Sequence, residues 1–153
     1  MAILNILKEG DETLRKISRP VTEITPRILT LLDDMKDTMH KADGCGLAAV
    51  QVGVLRRIVV IEVEDGVTYE MINPEVIDRK GEQIETEGCL SVPGRWGTHK
   101  RPAVATVRYM DREGNMRELT GDGLLARAIC HETDHLEGKL FIDEMIKEIK
   151  ADD

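Results

Sequence analysis

"DGLLARAICHETDHLEG", residues 122–138, is the stretch on which the fold turns. Asp122 can open a helix and Gly138 can close it. Between them Leu124, Leu125, Ala128, Ile129 and Leu136 supply apolar contacts, so a helix that packs from near Asp122 to Gly138 is expected. His131 and His135 fall inside it, about 40° apart in projection, because four residues slightly exceed one turn. Leu124 and Ala128 continue their face, so the imidazoles point toward the core, where two unpartnered rings would be costly to bury. "HETDH" (131–135) fits the H-E-x-x-H signature: two histidines reach one metal ion from one helix face, and the intervening glutamate, Glu132, works as a general base.

Working upstream, the preceding residues read as strands. "AVATVRYMDREGNMRELTG" (103–121) alternates in character around Asp111–Gly114, which predicts a hairpin. "RRIVVIEV" (56–63) is a β-branched apolar run typical of a buried strand, and "VTYEMINPEVID" (67–78) reads as another, ended or bent near Asn73-Pro74. "TPRILTLLDDMKDTMHKADG" (25–44) is an amphipathic helix with Thr25 as cap, Pro26 in the first turn, and Ile28, Leu31, Leu32, Met35 and Met39 on one face. His40 lies beside that stripe, at the solvent edge. Helix, strands and helix in this order predict an α+β fold, a mostly antiparallel sheet packed on a central helix that carries the histidine motif. No repeat or linker marks a boundary, so residues 1–153 are read as a single domain.

Two histidines leave a third ligand to be found. The extended signature HExxHxxGxxH places Phe141 where its last histidine would stand, so that class is excluded. A later carboxylate would have to be Glu144 or Glu148. Upstream, "EGCLSVPG" (87–94) offers Cys89 after Gly88, followed by a loop containing Pro93 and Gly94; the glycine lets the backbone approach an ion closely. A His₂Cys set leaves one position open, as catalytic sites require. A further stretch, "GCGLAAVQ" (44–51), could present the Gln51 amide N–H to a developing oxyanion.

Composition narrows the function classes. The formal charge of −8 opposes phosphate backbones and anionic lipid, and aromatics at 3% are too few for a base-stacking platform. Asn5 and Lys8 interrupt the apolar N-terminus before a signal-length core forms, and no segment approaches a membrane span, which predicts a soluble cytoplasmic protein. The cysteines, Cys45, Cys89 and Cys130, are odd in number and too few for a disulfide scaffold, so reduced thiols are expected.

"GCGLAAVQ", "EGCLS" and "HETDH", in this order and at these separations, closely resemble the three signature motifs of peptide deformylases. "NP" (73–74), "VPG" (92–94), "RP" (101–102) and "HLEGKLF" (135–141) extend the resemblance over nearly the whole chain. The resemblance implies Fe(2+), replaceable by Zn(2+), Ni(2+) or Co(2+), on Cys89, His131 and His135. It implies removal of the formyl group from N-formylmethionine of nascent polypeptides at the ribosome, with release of formate and with the enzyme acting as a monomer. Glu132 would serve as base and then acid, while Gln51 and the Leu90 backbone N–H stabilise the oxyanion. For substrate binding the expected residues are Leu125 and Ile129 around the methionine side chain, with Cys45, Gly46 and Gly88 along the peptide.

This sequence departs from the family pattern at several places. Cys130 stands where glutamine is common and Cys45 where an aliphatic residue is common. "RWGTHK" (95–100) is atypical and is expected to shape the pocket rim, and the tail "FIDEMIKEIKADD" (141–153) is too short for the long C-terminal helix of some members.

Overall fold

The computed structural model describes residues 2–149. Helix α1 (Pro26–Lys41) starts where the sequence places it: Thr25 Oγ1 accepts the Ile28 N–H at 3.3 Å, and Pro26 occupies the first turn, where its missing N–H costs nothing. Leu32, Met35 and Met39 are fully buried on one face, with Ile28 and Leu31 flanking them. His40, at the far end, is half exposed and pairs with Glu62 at 3.1 Å.

The strands form two sheets, and the strand pairs within both are antiparallel among the described residues. The larger has five strands in the order β1 (Gly46–Ala48), β2 (Ile58–Glu64), β3 (Val67–Lys80), β6 (Val104–Met110), β7 (Met116–Asp122). The smaller holds β4 (Gln83–Cys89), β5 (Val92–Arg101) and β8 (Lys147–Ile149), with β5 in the middle. In β2, Val59 and Ile61 join the core beneath the second helix while Ile58 and Val60 join the core beneath α1, so the larger sheet is covered on both faces. That explains the uninterrupted apolar run 58–61, because a strand buried on both sides has no solvent face to alternate with.

Strand β3 does not end at Asn73-Pro74. It runs through them by a bulge: the register shifts between Ile72 and Glu75, and Asn73 takes φ +53° while its side chain brackets the backbone of Val21. The stretch 92–94, expected as loop, is strand: Cys89 pairs with Val92 across a two-residue turn, and Pro93 and Gly94 lie within β5. The missing Pro93 N–H is tolerated there because β8 pairs only with Trp96–Thr98 and the β4 register shifts between Glu87 and Cys89.

Helix α2 (Gly123–Leu136) follows the β6–β7 hairpin, with Asp122 at its N-cap and Gly138, φ +76°, just beyond its end. Gly138 is required there twice over, by its left-handed backbone and because a Cβ would collide with the Arg15 carbonyl. One side of α2 packs on the larger sheet through Ala126, Ile129, Cys130 and Leu136. Its other side meets the smaller sheet, so the helix is buried nearly all round from Ala126 to Leu136.

Candidate metal and active site

Side chains on α2 sort by its turn of about 100° per residue. Leu124, Ala128, His131 and His135 share one face, with Glu132 at its edge, while Leu125, Ile129 and Leu136 lie on a neighbouring one. Leu125 packs against Gly121 and Ile129 is fully buried in the sheet core, so neither lines the cavity. The assignment of Leu125 and Ile129 to a methionine slot is therefore corrected: Leu124 and Ala128 occupy that wall, one helical step away.

The β4–β5 turn brings Cys89 against this face. Cys89 Sγ lies 3.4 Å from His135 Nε2, and the ligand atoms of Cys89, His131 and His135 all fall within 4.8 Å of one another. Glu144 and Glu148 do not join this group; Glu148 sits on β8 and holds Arg95. His131 is fixed from behind: its Nδ1–H donates to Glu87 Oε1 at 3.0 Å, which leaves Nε2 as the ring nitrogen available for an ion. Glu87 is in turn gripped by Arg101 through two bonds of 2.9 Å, and Arg101 reaches Asp134 at 2.7 Å. Burial works against the charge on Glu87, but the hydrogen bonds from His131 and Arg101 outweigh it and hold the carboxyl down to about 2. This buried trio ties β4, β5 and α2 together. Glu87 and Arg101 were not identified from the sequence as site residues, although Glu87 stands only two before Cys89.

Glu132 is buried, and its Oε1 makes no hydrogen bond among the described residues. Desolvation pushes its carboxyl up to about 7, against the opposing pull of His131. A carboxyl near neutrality can both take and return a proton. Gly46 leaves it room, since a Cβ at that position would collide with the carboxylate. Gln51 is locked: its Oε1 accepts the Ala48 N–H at 2.9 Å, and its Nε2 donates to Ser91 Oγ at 3.0 Å and faces Cys89 Sγ at 3.6 Å. The amide N–H groups are thereby aimed at the sulfur side of the site. Leu90, next to Cys89, packs against Gly44, and a Cβ there would run into its side chain.

These residues open onto a cavity of about 440 Å³. Its walls are α2, the edge strand β1 with the preceding Cys45, and the edge strand β4 with the turn after it. Cys45, Gly46, Gly88, Leu90, Gln51 and Glu132 all line it. Cys45 is exposed, and its carbonyl accepts the Glu62 N–H at 2.8 Å. Trp96, from the atypical segment 95–100, lines the cavity and packs its ring against Gly88, where no Cβ would fit. Cys130, by contrast, is buried on the sheet side of α2 and is not among the cavity-lining residues.

A sulfur, two imidazole nitrogens and an unpartnered buried carboxylate at this spacing fit a divalent transition-metal ion with an adjoining base. The polypeptide deformylase family model matches residues 3–151. The peptide deformylase of Caldanaerobacter subterraneus is 58% identical over 147 residues, covering 96% of this chain and 92% of that protein. Among solved structures, a peptide deformylase from Legionella pneumophila superposes with a TM-score of 0.92 at 46% identity, covering 94% of this chain and 86% of its own. One from Synechococcus elongatus, in complex with actinonin, gives 0.90 at 40% identity, covering 93% and 78%.

Proposed function

The chain belongs to the peptide deformylase family, and we propose that Cys89, His131 and His135 hold the divalent ion with which it removes the formyl group from N-formylmethionine of nascent polypeptides, releasing formate. Members are metalloenzymes, and the ion assigned here is Fe(2+), with Zn(2+), Ni(2+) or Co(2+) able to replace it. Support for a soft first-row ion comes from the mixed sulfur and imidazole donors. When bound, such an ion supplies Lewis acidity to water and to the formyl oxygen.

The chain's own groups account for the rest. Glu132 takes the proton of the attacking water and then hands it to the leaving α-amine, a double role suited to a buried carboxylate with an oxygen free of hydrogen bonds from the described residues. Gln51 donates an amide N–H to the oxyanion, its orientation fixed by Ala48 and Ser91, and the Leu90 backbone N–H is the second donor. Each such donor contributes about 2.7–4 kcal/mol in sites of this type. The peptide lies extended between the edges of β1 and β4, along Cys45, Gly46 and Gly88, and the methionine side chain occupies the slot beside Leu124 and Ala128.

We read residues 1–153 as one catalytic domain, acting as a monomer in the cytoplasm on chains leaving the ribosome. No helix among the described residues is long and apolar enough to cross a membrane, and the net charge of −8 argues against general nucleic-acid binding.

The convergence of one sulfur and two imidazoles beside the Glu132 carboxylate carries this reading. The test is an anaerobic formate-release assay on formyl-methionyl peptides, with metal analysis of the same sample. Turnover proportional to bound iron or nickel is expected. Metal-loaded protein that releases no formate would replace this reading with that of a non-catalytic metal-binding module.

A further inference from the structure

We propose that Arg127 is a specificity-determining residue that favours formyl-methionyl peptides with an acidic side chain at the third position; this rests on the deformylase reading. Arg127 lies on the cavity wall, next to Ala128. Among the described residues its buried Nε–H has no acceptor, and its one hydrogen bond is a long one, 3.4 Å, from Nη1 to the Thr86 carbonyl. Among the described residues no carboxylate pairs with it. The other cavity arginine, Arg95, is held by Glu9 and Glu148, and the nearby Glu87 is taken up by Arg101 and His131. Arg127 therefore brings a positive charge and spare donors to a substrate cavity, where a buried donor without an acceptor is a standing cost.

The surroundings favour a carboxylate as the missing partner. Trp96, 54% exposed, and Leu124, 44% exposed, make the mouth apolar, and a peptide seated between them excludes water from the guanidinium. A planar fork of donors takes both oxygens of a carboxylate, whereas a single carbonyl would leave donors unused. Position selects the third residue. Arg127 reaches the Thr86 carbonyl, three residues and so about 10 Å along β4 from Cys89. In an extended peptide whose formyl group lies beside Cys89, the third residue lies about as far along the same strand, because side chains two apart point the same way about 7 Å from each other. A methionine directed to the α2 wall therefore brings the third side chain back to that wall beside Arg127, while the second points away.

The experiment compares kcat/KM on C-terminally amidated formyl-Met-Ala-Glu, formyl-Met-Ala-Ala and formyl-Met-Glu-Ala, in wild type, Arg127→Gln and Arg127→Lys. Wild type is expected to prefer Glu over Ala at the third position by about tenfold, a preference that weakens with added salt. Arg127→Gln should bring that ratio close to one, and Arg127→Lys should keep part of it. Because the ratio is taken within one preparation, it does not depend on how much of a variant is folded. An unchanged ratio in Arg127→Gln, an equal loss on all three peptides, or a preference at the second position instead would overturn the assignment. Wild type inactive on every peptide would instead overturn the deformylase reading, and the assignment with it.

Discussion

Glu132 Oε1 has no partner among the described residues, whereas both oxygens of Glu87 are bonded, by His131 and Arg101. Two buried carboxylates thus sit at opposite ends of the acidity range, one near 7 and one near 2, and their roles separate accordingly. Glu132→Gln keeps the shape of the side chain but not its proton transfer. It is expected to retain a full complement of metal and to lose kcat by at least about 100-fold, measured by metal analysis and formate release on one sample. Gly46→Ala should act through the same carboxylate: the new Cβ displaces it, and a shift of about 1 Å costs about 100-fold in kcat while the thermal midpoint stays close to wild type. At this scale the sequence told most about how His131, Glu132 and His135 are placed, because H-E-x-x-H is a local spacing that any helix converts into geometry. It misled over Leu125 and Ile129, since a one-residue step on a helix rotates a side chain by about 100° and exchanges cavity wall for sheet core.

Each element whose pattern is local matched its reading: α1 with its Thr25 cap, β2 with its apolar run, the β6–β7 hairpin, and α2 between Asp122 and Gly138. The end of α2 offers a direct check. Gly138→Ala forces an L side chain to φ +76° and its Cβ into the Arg15 carbonyl, a backbone atom that no rotamer change can move. A loss of about 2 kcal/mol in urea unfolding is expected, with the same m-value. The smaller sheet was not legible. Gly88, Pro93, Gly94 and Gly97 break any alternation along 83–101, and the strands are specified instead by pairing with each other and with the distant β8. Gly88 and Gly97 are explained only by what lies over them, Trp96 and Met145 respectively, and that is tertiary information.

Over the whole molecule, the proposed metal ligands join two bodies of secondary structure. His131 and His135 come from the helix packed on the five-stranded sheet, and Cys89 comes from the three-stranded one. An ion held by all three links the sheets directly and stabilises the native state by mass action. At a free metal concentration one hundred times Kd this amounts to about 2.7 kcal/mol. Removing the ion with a chelator should therefore lower the thermal midpoint by roughly 5–10 °C, and Cys89→Ala should abolish that difference. The ligand set itself can be read by X-ray absorption of the zinc-loaded protein. One sulfur at about 2.3 Å together with imidazole nitrogens at about 2.0–2.1 Å is the expected first shell. A shell of nitrogen and oxygen alone, with no sulfur, would contradict the account at its centre.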